Sequence, residues 1–320
     1  MIEEKTKNED THWLQIQELG VLQGMRFMFF IYRWLGRGIF KICLYPVIVY
    51  FFLTKKQARQ ASTEFLFRIR TQGGIPQDAN IYYWSFKHFL QFGENLLDKL
   101  AAWSGDIREK DIEFYQLDKF SQLVNERKGA LVIVSHLGNQ EVCRALASAN
   151  PQITLNILVH TKHAKKFNLL LEETNNNSRL HLIQVTEVKP STAMMLREKL
   201  DAGEVVVIAG DRTPVNGGRQ SMVSFLDAPA AFPQGPYILA SVLHCPVYLM
   251  FATKNNQNYK IFFEPFTDKI CLKRQSREAD LSFWAQKFAD RLSHYTLQFP
   301  LQWNNFYHFW GADSTFSDKR

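Results

Sequence analysis

His136 and Glu141 stand five positions apart in VIVSHLGNQE (132–141), where an apolar run ends on an imidazole and a short turn leads to a carboxylate. An imidazole that titrates near neutrality can take a proton from a hydroxyl. A carboxylate on its other ring nitrogen fixes the tautomer and stabilises the imidazolium. Spacing alone is weak evidence. With nine histidines and 31 acids in 320 residues such a pair arises by chance, and a second, His308 with Asp313, is present. Context separates the two. His136 closes a run with the composition of a buried strand, and Glu141 opens an alanine-rich helical stretch. Sites in α/β sheets form at the carboxyl ends of strands, and a helix start favours a carboxylate. No GxSxG elbow occurs, so a serine nucleophile has no motif support. A His–acid pair without a protein nucleophile implies that the substrate's own hydroxyl or amine attacks. The plainer alternative is a loop histidine beside a helix-capping carboxylate.

A second strand candidate, EVVVIAG (204–210), ends on Asp211 and Arg212. Arg212 could clamp a phosphate or carboxylate; a structural ion pair is the bland alternative. Lys162, His163, Lys165 and Lys166 could meet a phosphate or an acidic carrier protein, or form a solvated charge run. His160 and His163 have no carboxylate or third histidine nearby in sequence, so no metal site is expected. Gly217-Gly218-Arg219 reads as a hairpin turn between two strands, or as a flap. Phe225, Ala228, Ala230, Ala231, Phe232 and Gly235 suit an acyl groove or ordinary core.

These residues must be positioned by a framework, and the chain supplies one. Apolar runs at 130–134, 153–159, 180–185, 204–210, 222–226, 246–252 and 259–264 alternate with helical stretches such as QEVCRALASA, STAMMLREKLDAG and PQGPYILASVLH. This predicts an α/β fold with a mixed, mostly parallel central sheet flanked by helices. Residues 81–103 read as an amphipathic helix that stops at Ser104-Gly105.

The amino-terminal part differs. Residues 21–75 hold nine Lys or Arg and one acid, so they carry 9 − 1 = +8, more than the whole-chain +7. Arg26, Arg33, Arg37 and Lys41 fall on one narrow helical stripe among aromatic and aliphatic residues, a pattern that an anionic membrane surface attracts. The 13 uncharged residues between Lys41 and Lys55 are short of the roughly 20 a spanning helix needs. Lying in the interface is therefore favoured, with a span possible if the flanking cations snorkel. The expected organisation is a flexible 1–20, a membrane-associated helical segment 21–80 and an α/β domain 81–320. The start of the chain lacks a signal-peptide pattern. The four cysteines spell no zinc or redox framework, which leaves disulfide pairing open and the bulk of the chain in a reducing compartment. The interleaved Phe residues and the apolar continuity of 42–53 argue against a nucleic-acid partner.

SHLGNQE resembles the HX4D/E motif of the lysophospholipid acyltransferase superfamily, in particular the lipid A biosynthesis (lauroyl/myristoyl) acyltransferases. The pattern there usually has an aromatic where this chain has Gln140. ILVHTKHAKKF (157–167), VVVIAGDRTP (205–214), VSFLDAPAAFPQGPYILASVLHCPVYLMF (223–251) and QWNNFYHFW (302–310) resemble further blocks of that family. The resemblance implies a membrane-associated enzyme in which His136 is the general base and Glu141 orients it. Asn139, Lys162, Lys165, Asp211, Arg212 and Gly235 are then substrate-binding candidates. It implies an acyl thioester donor, on acyl carrier protein or coenzyme A, with no other cofactor and no metal. The partners are then acyl carrier protein and a lipid or glycolipid acceptor at the cytoplasmic face of the inner membrane. Arg212, where many relatives carry Gln, and the ELG…GMR stretch (18–26) resemble relatives encoded with aryl polyene pathways, which offers an alternative acceptor. A non-catalytic lipid-binding protein of the same fold is a further alternative.

Overall fold

The computed structural model describes residues 30–103, 106–142, 152–159, 179–184, 190–212, 218–255 and 258–310. The chain divides into two compact units, residues 1–53 and 54–320. In the first, α1 (Phe30–Thr54) is one helix of 25 residues with a mean hydropathy of 1.5 over its most apolar window, long and apolar enough to cross a membrane. At 1.5 Å per residue its length of about 37 Å exceeds the ~30 Å of a bilayer's hydrocarbon core. The helix is continuous through Lys41, so the 13-residue uncharged gap understates its apolar length. Trp34, Ile42, Tyr50 and Leu53 are among its exposed side chains.

The second unit begins with α2 (Lys56–Thr71) and α3 (Ile81–Trp103), which pack on each other. The charge pattern places residues 56–71 in the membrane-associated segment. In the fold, Phe65, Leu66 and Ile69 of α2 are core residues of this second unit. A short 3-10 turn (Glu109–Asp111), β1 (Ile112–Tyr115) and α4 (Leu117–Asn125) precede the central strand β2 (Ala130–Gly138). Then come β3 (Leu155–Val159), β4 (Leu180–Gln184), α5 (Pro190–Asp201) and β5 (Val205–Ala209). The hairpin β6 (Gln220–Phe225) and β7 (Ala228–Pro233), α6 (Gly235–Leu243), β8 (Val247–Asn255), β9 (Asn258–Thr267) and α7 (Arg277–Gln298) complete the order.

Seven strands form one sheet in the order β1-β9-β8-β2-β5-β3-β4, with every pairing parallel except β8 with β9. The fold is thus the mixed, mostly parallel α/β architecture expected. Strand β2 lies in the middle, and its buried run explains its continuous apolar sequence, since both faces are covered. On α7, buried Leu281, Ala285, Phe288, Leu292 and Tyr295 recur at helical spacing. The QEVCRALASA stretch falls outside the described residues beyond Val142.

Two local readings are narrowed by the fold. β5 and β6 do not form the two arms of a hairpin: β5 pairs in the main sheet, whereas β6 pairs with β7 in a separate two-stranded ribbon. The tight turn lies instead at Leu226-Asp227, whose φ values of 51 and 57 give the doubly left-handed geometry that suits a two-residue hairpin. The small-residue run 228–233 is strand β7 of that ribbon, and Phe225, Ala230 and Phe232 are fully buried core.

Candidate active site

The site follows from one register. Strand β2 pairs with β5 at a constant offset: Val134 lies opposite Ala209, and 209 − 134 = 75. The offset carried past the last paired residues sets His136 opposite Asp211, since 136 + 75 = 211. Gly210 continues the ladder by donating its N–H to the Val134 carbonyl at 2.8 Å. Beyond it the Asp211 side chain takes over the strand's role and accepts the His136 backbone N–H at 2.7 Å. Its other oxygen lies 2.7 Å from His136 Nδ1.

On its opposite side β2 breaks register with β8. Val134 pairs with Met250 and Gly138 with Ala252, so four residues of advance on β2 match two on β8. A bulge of this kind turns a side chain out of the regular alternation at a sheet's rim. Gly138 closes it with φ +69, and a Cβ there would sit 1.8 Å from the Ala252 carbonyl oxygen. Only glycine fits both conditions. The backbone groups released by the bulge are taken up by the carboxy-terminal segment. Gly138 N–H donates to Gln302, Asn304 N–H donates to the His136 carbonyl at 3.0 Å, and Leu137 bridges Trp303. Asn304 Nδ2 donates to the carbonyls of His136 and Gly138, and Asn95 Nδ2 adds a second bond to Gly138.

Trp303 is the third member of the site. Its indole N–H donates to Asp211 Oδ2 at 3.0 Å. The ring is 1% exposed and packs on Phe65, Phe225 and Phe309 at 4.9 to 5.1 Å between centroids. Burial of an aromatic side chain of this kind is worth roughly 4–6 kcal/mol of apolar transfer, which fixes the indole where Asp211 needs a donor. Burial by itself would raise the Asp211 pKa. The positive charge His136 can carry, the two bonds from His136 and the charge of Arg212 outweigh it, so the pKa is lowered. An ionised Asp211 can only accept hydrogen bonds, so His136 Nδ1 carries a proton, and in the neutral ring Nε2 then presents a lone pair. His136 is 25% exposed against 1% for Asp211, so the imidazole is open to solvent while its partner is shielded.

The other sequence candidates fall at different distances from this centre. Asp211, proposed as substrate-binding, holds the imidazole nitrogen that the sequence reading reserved for Glu141. Glu141 stands at the start of the following helix, with its backbone N–H on Asn139 Oδ1 at 3.0 Å. Asn139 is buried and acts as a helix cap through that oxygen. Its Nδ2, also buried, has no hydrogen-bond partner among the described residues, and Asn139 lines a small polar cavity with Asn95, Asp98, Lys254 and Gln302. Arg212 is exposed and donates to the Asn304 carbonyl at 2.7 Å, tying the end of β5 to the carboxy-terminal segment. Gly235 opens α6, and a Cβ there would meet nothing within 4 Å. Lys162 and Lys165 lie outside the described residues. No group of three or more metal-ligating side chains occurs among the described residues. The Trp303 role had only a faint signal in the sequence, as one aromatic among several in QWNNFYHFW.

A central parallel strand thus carries a histidine backed by a buried carboxylate, an arrangement suited to acid–base chemistry in an α/β fold. The chain matches the family described as bacterial lipid A biosynthesis acyltransferase over residues 87–310, more than two thirds of its length, and belongs to that family. No individual curated protein matches the chain. Membership makes it an acyltransferase in the general sense, and both the His136 motif and the Trp303 segment lie inside the matched region.

Proposed function

We propose that this protein moves a fatty acyl group from an acyl thioester to a hydroxyl of a lipid or glycolipid at the cytoplasmic face of the inner membrane. The observation that carries the reading is the His136–Asp211–Trp303 arrangement at the end of β2 and β5. In this reading His136 Nε2 takes the proton from the acceptor hydroxyl as its oxygen attacks the thioester carbonyl. Asp211 stabilises the imidazolium that forms, and the proton then passes to the departing thiolate. No acyl-enzyme is needed, because the acceptor oxygen itself forms the ester. The collapsing intermediate carries an oxyanion, and the exposed guanidinium of Arg212 is a candidate to bind it or a phosphate of either substrate. Glu141, the acid of the HX4E stretch, is a further catalytic candidate on the turn that follows His136.

The length and apolar composition of α1 support membrane association. The donor is a soluble cytosolic thioester, which favours acyl carrier protein and the cytoplasmic face. The test is acyl transfer by the full chain in detergent, from a lauroyl thioester of acyl carrier protein to a bacterial lipid extract, read as thiol release and as labelled lipid. His136→Ala should lower turnover by at least about a hundredfold. Near-normal transfer by that variant would sink the mechanism, and lipid binding without transfer by the wild type would favour a non-catalytic protein.

A further inference from the structure

A second histidine reaches the site from behind. Ser85 on α3 donates to Ser62 Oγ on α2 at 2.9 Å, Ser62 Oγ lies 2.9 Å from His88 Nδ1, and His88 Nε2 lies 2.9 Å from the Trp303 carbonyl oxygen. Ser62, Ser85 and His88 are all fully buried. The directions in this chain are determined. A carbonyl can only accept, so Nε2 carries the proton, and Nδ1 of a neutral ring must then accept from the Ser62 hydroxyl. Phe65 and Phe306 flank the imidazole at 5.5 and 4.5 Å, the second stacked on it, which holds the ring in this orientation.

The chain does not stop at the Trp303 carbonyl. The same residue bridges Leu137 through its backbone and gives its indole N–H to Asp211. One residue is therefore gripped by His88 on one side and grips the carboxylate of the reacting histidine on the other. Buried polar groups are costly unless every partner is met, and here each ring nitrogen of His88 has one.

We propose that His88 is a positioning residue of the acyl-transfer site: by anchoring the Trp303 carbonyl it sets the indole that holds Asp211 on His136. The proposal rests on the reading of His136 as the base. It assigns α2 and α3 a part in catalysis besides packing.

The test compares full-length His88→Leu and His88→Gln in detergent, with the lauroyl acyl carrier protein thioester and lipid extract as substrates. The Trp303 indole N–H is followed by nitrogen-15 NMR, assigned with Trp303→Phe. Leucine removes the donor; it should shift the Trp303 resonance and lower kcat at least about tenfold, with KM within about twofold. Glutamine can donate to the carbonyl and accept from Ser62, so it should recover most of that loss. His88→Leu added to Trp303→Phe should cost little beyond Trp303→Phe alone, because both act on one carboxylate. A folded leucine variant with wild-type kcat or an unmoved Trp303 resonance overturns the proposal, as does full multiplication of the two losses. Should leucine prevent folding, His88→Asn, too short to reach both partners, carries the same expectation and the same refutation. His136→Ala is the control. If it is inactive while His88→Leu is unaffected, only this inference falls; if it is active, the reading beneath it falls.

Discussion

Acid should destabilise this protein through His88 more than through an ordinary histidine. Complete burial lowers its pKa from 6.5 to about 4, against the opposing effect of the bond to the Trp303 carbonyl. The sign follows from linkage. The folded state resists the proton and the unfolded state accepts it near 6.5, so the contribution is present above 6.5 and is lost as pH falls toward 4. The full shift corresponds to about 3 kcal/mol at 1.36 kcal/mol per pKa unit. Between about pH 7 and pH 5 the part expected is about 2 kcal/mol, since at pH 5 the folded ring is still mostly neutral. The assay is urea unfolding of the full chain in detergent, followed by tryptophan fluorescence, for wild type and His88→Gln at both pH values. Glutamine satisfies the same partners and does not titrate, so carboxylates common to both proteins cancel in the difference. The wild type should lose about 2 kcal/mol more than the variant on acidification. A difference that stays flat with pH, or that grows in the opposite direction, would refute the assignment of a buried neutral imidazole.

Three further outcomes are expected. Asp211→Asn should lower kcat by about 10²–10⁴ with a small change in KM, because an amide can donate to Nδ1 and favour the wrong tautomer; steady-state kinetics on a folded variant checks this. Gly138→Ala should be destabilised by more than about 3 kcal/mol, since the residue needs φ +69 and its Cβ would meet the Ala252 carbonyl at 1.8 Å; thermal unfolding or loss of folded protein on expression reports it. Deletion of residues 1–54 should move the protein from the membrane to the soluble fraction on cell fractionation, and retention at the membrane would assign attachment to the second unit.

Much of the framework was legible because it depends on short-range pattern. The apolar runs that became β2, β5 and β8 are buried on both faces, so they are apolar without interruption. The same logic failed where the pattern was short or carried poor strand formers. Strand β1 has four residues, one of them Glu113. Strand β7 is built from alanines with Pro229 and Pro233, residues that a two-stranded ribbon tolerates and a central strand does not. The continuity of α1 through Lys41 was likewise not legible, because a single cation does not interrupt a helix although it divides the uncharged run.

The sequence by itself determined that His136 would stand at the end of a buried strand with a helix start close behind, because strand hydrophobicity and the glycine-containing turn are local properties. It also marked Asp211 as the end of another strand. It could not say that those two ends meet. That depended on the 75-residue offset between β2 and β5, on the bulge that frees His136 from β8, and on the return of the carboxy terminus to place Trp303 under the carboxylate. Register and chain return are non-local, set by which faces bury together and which backbone groups find partners, and so the imidazole's partner was decided only by the tertiary fold.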